Sequence, residues 1–371
     1  MIQKKGAASG LRVAVAMAVC GSWCATHANA AAFSVYVAYG SGVSYYSTQT
    51  GDNQTGLGTA LPTPTSGAFT NAFSVVTDTS GNIYVGDAGS NRVVKYNSSN
   101  AYVATLTIPT DLTGGSISPQ ELALDSSGNL YVSSFNGSIY KFTSGTGTGT
   151  RIETVANARG LSVTGTTAYV STSSLSGAKV VSFSTSSVDS AQTTVFTTSA
   201  YPAGQLRGMS LDSSGNLYIA DSSWSGTAGY LEVCATPTGT PSCSLLGSGT
   251  GGTVASGLNT GPNDIAVANS SNGSGQKLWV ADYFTGVVAE YDITGSHPGA
   301  VTPFLTLGSS LHATGIAFGS GSSAQAGLAP AFFDTLAAEE ATAAAPEPGT
   351  WALLLGALLL IPALKGSRRT A

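Results

Sequence analysis

A handful of side chains in this chain are of types that could do chemistry, and most of them stand just ahead of an apolar run. Glu121 precedes LALD, Asn263-Asp264 precede IAVAN, Arg159 and Arg207 precede LSV and MSL, and His312 precedes the run at Thr314–Phe318. Gln120 stands beside Glu121. Two carboxylates and an amide are oxygen ligands of the kind that suit Ca²⁺, so Glu121, Asn263 and Asp264 form a candidate metal set. Nucleophilic triads need a histidine, and beyond residue 30 the chain has only His297 and His312. His297 precedes Pro298 in a loop-like stretch, and no catalytic residue is expected at either position. Cys234 and Cys243 flank the loop ATPTGTPS. That spacing is not the Cys-x-x-Cys of a metal or redox pair, and in an oxidising compartment it predicts a disulfide closing a hairpin.

The elements that must carry these residues recur along the chain. The clearest copies are VVTDTSGNIYVGDAGSNRVVKYN (75–97), LALDSSGNLYVSSFNGSIYKFT (122–143) and MSLDSSGNLYIADSSWSGTAGYLEV (209–233). Weaker copies occupy 161–184 and 265–292. Each reads as an apolar strand, a polar turn, an apolar-aromatic strand, a small-residue turn and a third alternating strand. In the Asp-x-Ser-Gly-Asn turn, Asp caps through its side chain while Gly and Asn accept positive φ. The aromatics Tyr84, Tyr131, Tyr169, Tyr218 and Trp279 recur at intervals of 47, 38, 49 and 61 residues. Such a period, with three strands visible and room for a fourth, describes a propeller blade.

A partial copy at 33–52 matches the second and third strands but lacks a first, and the missing strand stands near the other end as Thr314-Gly315-Ile316-Ala317-Phe318. The expectation is an all-β, six-bladed β-propeller over 31–325, closed by a blade shared between the N- and C-terminal strands. An open arc would leave two sheet edges ready to pair with other chains. A β-helix has shorter coils, and tandem sandwiches do not predict split fragments at both ends.

The first copy resembles the NHL repeat through Asp78, Gly81, Asn82, Tyr84, Val85, Asp87, Asn91, Arg92 and Val93. The second keeps Asp125, Gly128, Asn129 and Tyr131; the copy at 209–233 keeps Asp212, Gly215, Asn216, Tyr218 and Asp221. The resemblance implies an NHL-like propeller whose channel mouth is lined by residues leading into the innermost strands: Gln120, Glu121, Arg159, Arg207, Asn263, Asp264 and His312. Pro262-Asn263-Asp264-Ile265 is similar to one step of gluconolactonase-type propellers, in which an acid, an Asn and an Asp bind the metal.

Both ends read as addresses. Lys4 and Lys5 precede an apolar stretch, LRVAVAMAVC, and Ala28-Asn29-Ala30 offers a small-x-small cleavage site, so 1–30 is expected to be a signal peptide read by the Sec translocon and signal peptidase. After an Ala-rich linker, 326–345, come Pro346-Glu347-Pro348-Gly349, an apolar run from Trp351 to Leu364, and the bases Lys365, Arg368 and Arg369. Fourteen residues make a helix of about 21 Å, short against a bilayer core of about 30 Å, so a transient membrane contact is expected. This tail (346–371) resembles the PEP-CTERM sorting signal. The resemblance implies that an exosortase-type transpeptidase processes the chain at Pro346, Glu347, Pro348 and Gly349, in a Gram-negative bacterium that makes extracellular polysaccharide.

Between these ends, 31–345 carries eight bases and eighteen acids, a net charge near −10. That excludes a nucleic-acid binder, which would need a basic surface. A charged fraction of only 9%, against about 25% in ordinary soluble domains, suits an exported protein of the cell envelope, surface or extracellular matrix. The expected function is non-catalytic binding of polysaccharide or envelope protein, without a cofactor. The alternative is a Ca²⁺-dependent lactonase or lyase using Glu121, Asn263 and Asp264.

Overall fold

A computed structural model describes residues 33–319, apart from 49–52, 110–116, 175–176, 198–204, 223–228, 236–241, 247–260, 270–275, 294–301 and 308–310. The leader, linker and tail, with Pro346, Glu347, Pro348 and Gly349, lie outside the described residues, as does His297. Among the described residues no helix is long and apolar enough to cross a membrane.

Six sheets form the blades of a propeller, each of four antiparallel strands, one of them with a fifth, parallel strand at its outer edge. Blade 1 runs Ala72–Thr77, Ile83–Asp87, Arg92–Tyr96 and Tyr102–Leu106. Blade 2 spans Pro119–Leu124 to Thr150–Thr154, blade 3 Ala158–Thr164 to Thr193–Thr197, blade 4 Leu206–Leu211 to Ser242–Leu245, and blade 5 Pro262–Asn269 to Thr302–Thr306. Blade 6 takes its innermost strand, Gly315–Phe318, from the C-terminal side and the next, Ser34–Ala38, from the N-terminal side. Their register sets Tyr36 opposite Ala317 and Val37 opposite Ile316. The ring is closed as the split repeat predicts, and the two ends of the wheel are held by a sheet ladder.

Local chemistry explains the repeats. In three blades the turn aspartate uses both oxygens. Asp78 Oδ1 accepts from the Ser80 and Asn82 amides and Oδ2 from the Asn82 side chain and the Tyr84 hydroxyl. Asp125 and Asp212 repeat the set with Asn129 and Tyr131, and with Asn216 and Tyr218. Gly81 sits at φ +78°, a conformation that costs a side-chain-bearing residue energy. These loops are hairpin turns, with their carboxylates fully engaged.

The hydrophobic core lies between blades. At the closure, Trp279 of blade 5 packs edge-on against Phe304, Phe318 and Phe33, with ring centres 5.0, 5.1 and 6.2 Å away. Phe33 and Phe318 come from opposite ends of the chain, so apolar burial reinforces the ladder. One feature was not legible in the repeats: Gln54–Thr55 pairs in parallel with the outer strand of blade 5. A strand from the N-terminal segment thereby covers an edge that would otherwise stay open.

Candidate functional site

The innermost strands share one register, so corresponding residues form layers around the axis. The second residues of that register are Phe73, Gln120, Arg159, Arg207, Asn263 and Thr314; the third are Ser74, Glu121, Gly160, Gly208, Asp264 and Gly315. Neighbouring inner strands come very close. A Cβ on Gly160 would lie 2.0 Å from the Arg207 carbonyl oxygen, and one on Gly208 2.5 Å from Asp264 Oδ1. Only glycine fits there.

Side-chain hydroxyls, an amide and a carboxylate sew the blades together at this level. Ser74 accepts from the Leu122 amide, Ser133 donates to the Arg159 carbonyl, and Ser171 donates to the Arg207 carbonyl at 2.7 Å. Ser210 accepts from the Val267 amide, and Thr314 donates to the Ala72 carbonyl. Asn263 belongs to this seam: its Nδ2 donates to the Thr314 carbonyl at 2.7 Å. So does Asp264, whose Oδ1 accepts from Ile265 N and Oδ2 from Ile316 N, both at 2.8 Å. Glu121 Oε1 accepts from the Ser74 hydroxyl at 2.6 Å and from Leu122 N at 3.1 Å.

Glu121 and Asp264, from blades on opposite sides of the ring, line one cavity of about 50 Å³ in the channel. Ordinary ligand cavities are several hundred Å³, so this space holds water-sized molecules and no sugar ring. Burial, and for Glu121 the Asp264 charge, push both carboxyls above their usual range. Two acids facing one small apolar space cannot both ionise cheaply. As a calcium site the set fits poorly. Ca²⁺ takes six to eight oxygens, whereas the rest of the lining is dominated by Val75, Leu122, Leu161, Met209, Ile265 and Ile316, and the Asn263 amide is turned to blade 6. Among the described residues, no three of His, Cys, Asp and Glu gather as metal ligands.

The remaining expected residues sit at the channel mouth, where the inner strands begin. Arg159 and Arg207 are adjacent there, one from blade 3 and one from blade 4. The Arg159 guanidinium lies 4.4 Å over the Phe135 ring and donates to the Ala158 carbonyl. Arg207 donates to Gln205 Oε1 at 3.1 Å. Burial, then the like charge of Arg159, bring Arg207 down to about 10, and Tyr283 acts in the opposite sense. His312 is exposed; its ring stacks on Tyr283 at 4.3 Å and its Nδ1 lies 2.6 Å from the Tyr283 carbonyl oxygen. Gln120 donates back to the Ser118 carbonyl.

Sequence reasoning missed the aromatic members. Phe135 is 57% exposed and its amide bonds to the Ile117 and Ser118 carbonyls, beside the start of the blade 2 inner strand. Phe284, 41% exposed, lies against Gly261, beside the start of the blade 5 inner strand. The available signal was an aromatic residue in the second, otherwise small-residue turn, in Ser134-Phe135 and Asp282-Tyr283-Phe284.

The fold and this end of the channel define a closed six-bladed propeller with a cationic, aromatic mouth above an acidic, apolar waist. No protein-family model matches the chain, and no curated protein matches it. Similar solved structures include virginiamycin B lyase from Staphylococcus aureus, at 11% identity over 63% of this chain and 69% of that one, with a TM-score of 0.45. A catalytically inactive form of that lyase with quinupristin gives the same figures. A streptogramin B lyase structure matches at 10% identity over 63% and 68%, with a TM-score of 0.44. Likenesses this distant carry no chemistry across.

Proposed function

We propose that this protein is an exported cell-envelope propeller that binds polysaccharide at its channel mouth without catalysis. One observation carries the reading. Two neighbouring guanidinium groups, Arg159 and Arg207, stand beside aromatic rings, Phe135, Tyr283 and Phe284, where the inner strands begin. Rings of this kind offer flat apolar faces to sugars, and guanidinium forks offer paired donors to their oxygens. The leader over 1–30 and the Pro346-Glu347-Pro348-Gly349 tail support delivery to the envelope by the Sec translocon, signal peptidase and an exosortase-type transpeptidase.

A Ca²⁺-dependent lactonase or lyase is the second reading, favoured by one observation, that Glu121 and Asp264 meet in a single cavity. The experiment that separates the two uses the exported protein purified from expressing cells. Retention on immobilised polysaccharide, with a melting temperature indifferent to excess calcium or to chelator, is the expected outcome. A bound ion that favours the folded state must raise the melting point by mass action. Calcium-dependent stabilisation together with lactone opening that Glu121→Gln abolishes would replace the binding reading with the enzymatic one.

A further inference from the structure

We infer that aromatic rings on blades 2 and 5 form two platforms on opposite sides of the mouth, and that the ligand is a flat, equatorially linked pyranose chain lying across the channel axis. The inference rests on the glycan-binding reading above and names the shape of the glycan and the way it lies.

The turn after each second strand brings one residue to the same place on the rim. The amides of Ala88, Phe135, Ser173, Ser222 and Tyr283 each donate to a carbonyl just ahead of their own blade's inner strand. Blades 1, 3 and 4 put small residues there, and blade 6 puts Tyr39, which is buried. Blade 2 brings the exposed Phe135, and blade 5 brings Tyr283 followed by the exposed Phe284. Two blades separate these turns in either direction round the ring. The aromatic turns therefore face each other across the axis.

Each platform is held from the following blade. The Arg159 guanidinium of blade 3 lies over the Phe135 ring, yet Phe135 stays exposed. His312, just ahead of the blade 6 inner strand, stacks on Tyr283 with the ring planes 7° apart. Its Nδ1 donates to the Tyr283 carbonyl oxygen, since a carbonyl can only accept. Phe284 stands edge-on to Tyr283 with ring centres 5.3 Å apart. One device is thus built twice: an aromatic turn clasped by a side chain from the next blade.

The ligand's shape follows. Below the rim the channel narrows to the cavity of about 50 Å³, which admits no sugar ring, so a chain can cross the mouth and cannot thread it. Aromatic faces pack on the C–H faces of pyranoses whose hydroxyls are equatorial. Equatorial linkages keep successive rings of such a chain in a ribbon, whereas axial linkages coil it away from one platform. A chain that reaches both platforms makes its second contact intramolecularly and gains affinity with no further type of contact.

The test is titration calorimetry of the exported full-length protein with cellohexaose, cellobiose and maltohexaose. Cellohexaose is expected to bind at least about 10-fold tighter than either of the others. Phe135→Ala and Phe284→Ala should each remove most of that advantage and leave cellobiose nearly unchanged, because one platform survives. Phe135→Tyr and Phe284→Tyr keep the ring faces and should keep the preference. Val103→Ala, at an exposed apolar position on the outer strand of blade 1, serves as the unaffected control. Should an alanine variant fail to fold, the tyrosine variants and the length comparison on the unaltered protein still decide. Equal binding of cellohexaose and cellobiose overturns the crossing chain while leaving glycan binding intact. Maltohexaose binding as tightly as cellohexaose overturns the ribbon assignment, and binding of none of the three overturns the glycan reading itself.

Discussion

Blades 1 and 4 share a turn, a strand pattern and an aspartate at the end of the second strand, but they treat buried charge in opposite ways. In blade 1, Asp87 is fully buried and accepts from the Asn71 amide at 2.9 Å and from Arg92 Nε at 3.0 Å. Burial pushes its carboxyl up, and the bonds from Asn71, Ser90 and Arg92 outweigh it, holding the group below the usual range. Arg92 also donates to the carbonyls of Ser66, Gly67 and Ala68, tying down the connecting segment. In blade 4 the register partner of Asp221 is Tyr230, where blade 1 has Arg92. Asp221 keeps one bond, from Gln205 N at 3.2 Å. Two residues along stands Glu232, 2% exposed and with neither carboxylate oxygen hydrogen-bonded. Burial raises Asp221 to about 6; burial and the Asp221 charge raise Glu232 to about 8. A buried carboxyl stays charged where a guanidinium and several N–H groups meet it. Without them it holds its proton to higher pH.

The largest effect expected from this contrast is in blade 1. Arg92→Ala strands Asp87 in the core and should cost about 3–5 kcal/mol in urea unfolding. Asp87→Asn in that background should recover part of the loss. A penalty below about 1 kcal/mol would mean that Asp87 does not depend on Arg92 to carry its charge, and the comparison would fail.

Blade 4 has its own compensation, the Cys234–Cys243 disulfide, which pins the outer strand where the two residues face each other in register. Replacing both cysteines by alanine, or reducing the bond, should lower stability by roughly 2–3 kcal/mol for so short a loop. Insensitivity of the melt to reductant would remove that role.

The third effect, read as a slope per pH unit, is the most diagnostic. Glu232 binds its proton more tightly folded than unfolded, so stability should fall as the pH climbs from about 4.5 to about 8, by up to about 1.4 kcal/mol per pH unit. Asp221 adds to the slope with the same sign at lower pH. Glu232→Val installs the residue type that blade 1 carries at this register place, Val94. It should flatten the profile and raise the melting temperature at pH 8 more than at pH 5. An unchanged slope would show that Glu232 is not the group responsible.

Much of the wheel was legible because its instructions are local. The Asp78, Asp125 and Asp212 turns close on atoms within six residues, so the hairpins that define a blade can be read from short stretches. The split copy at 33–52 and 314–318 predicted the Tyr36–Ala317 ladder, and the cysteine spacing predicted the disulfide. The role of Asn263 and Asp264 was harder. Their types suit metal binding, but their partners, the Thr314 carbonyl and the Ile316 amide, come from the next blade. Glu232 gave no signal either, since YLEVCA reads as an ordinary alternating strand until blade 3 packs over it.

Repeat, turn and terminal segment are properties of neighbouring residues, and the chain alone determines them through hydrogen bonds and periodicity that need no distant partner. Which arginines meet, which carboxyls lose water and which amides are consumed in seams depend on contacts between strands some fifty residues apart. Those contacts exist only once the ring has closed, because the field and the exclusion of water at any one side chain are set by the blades on either side of it.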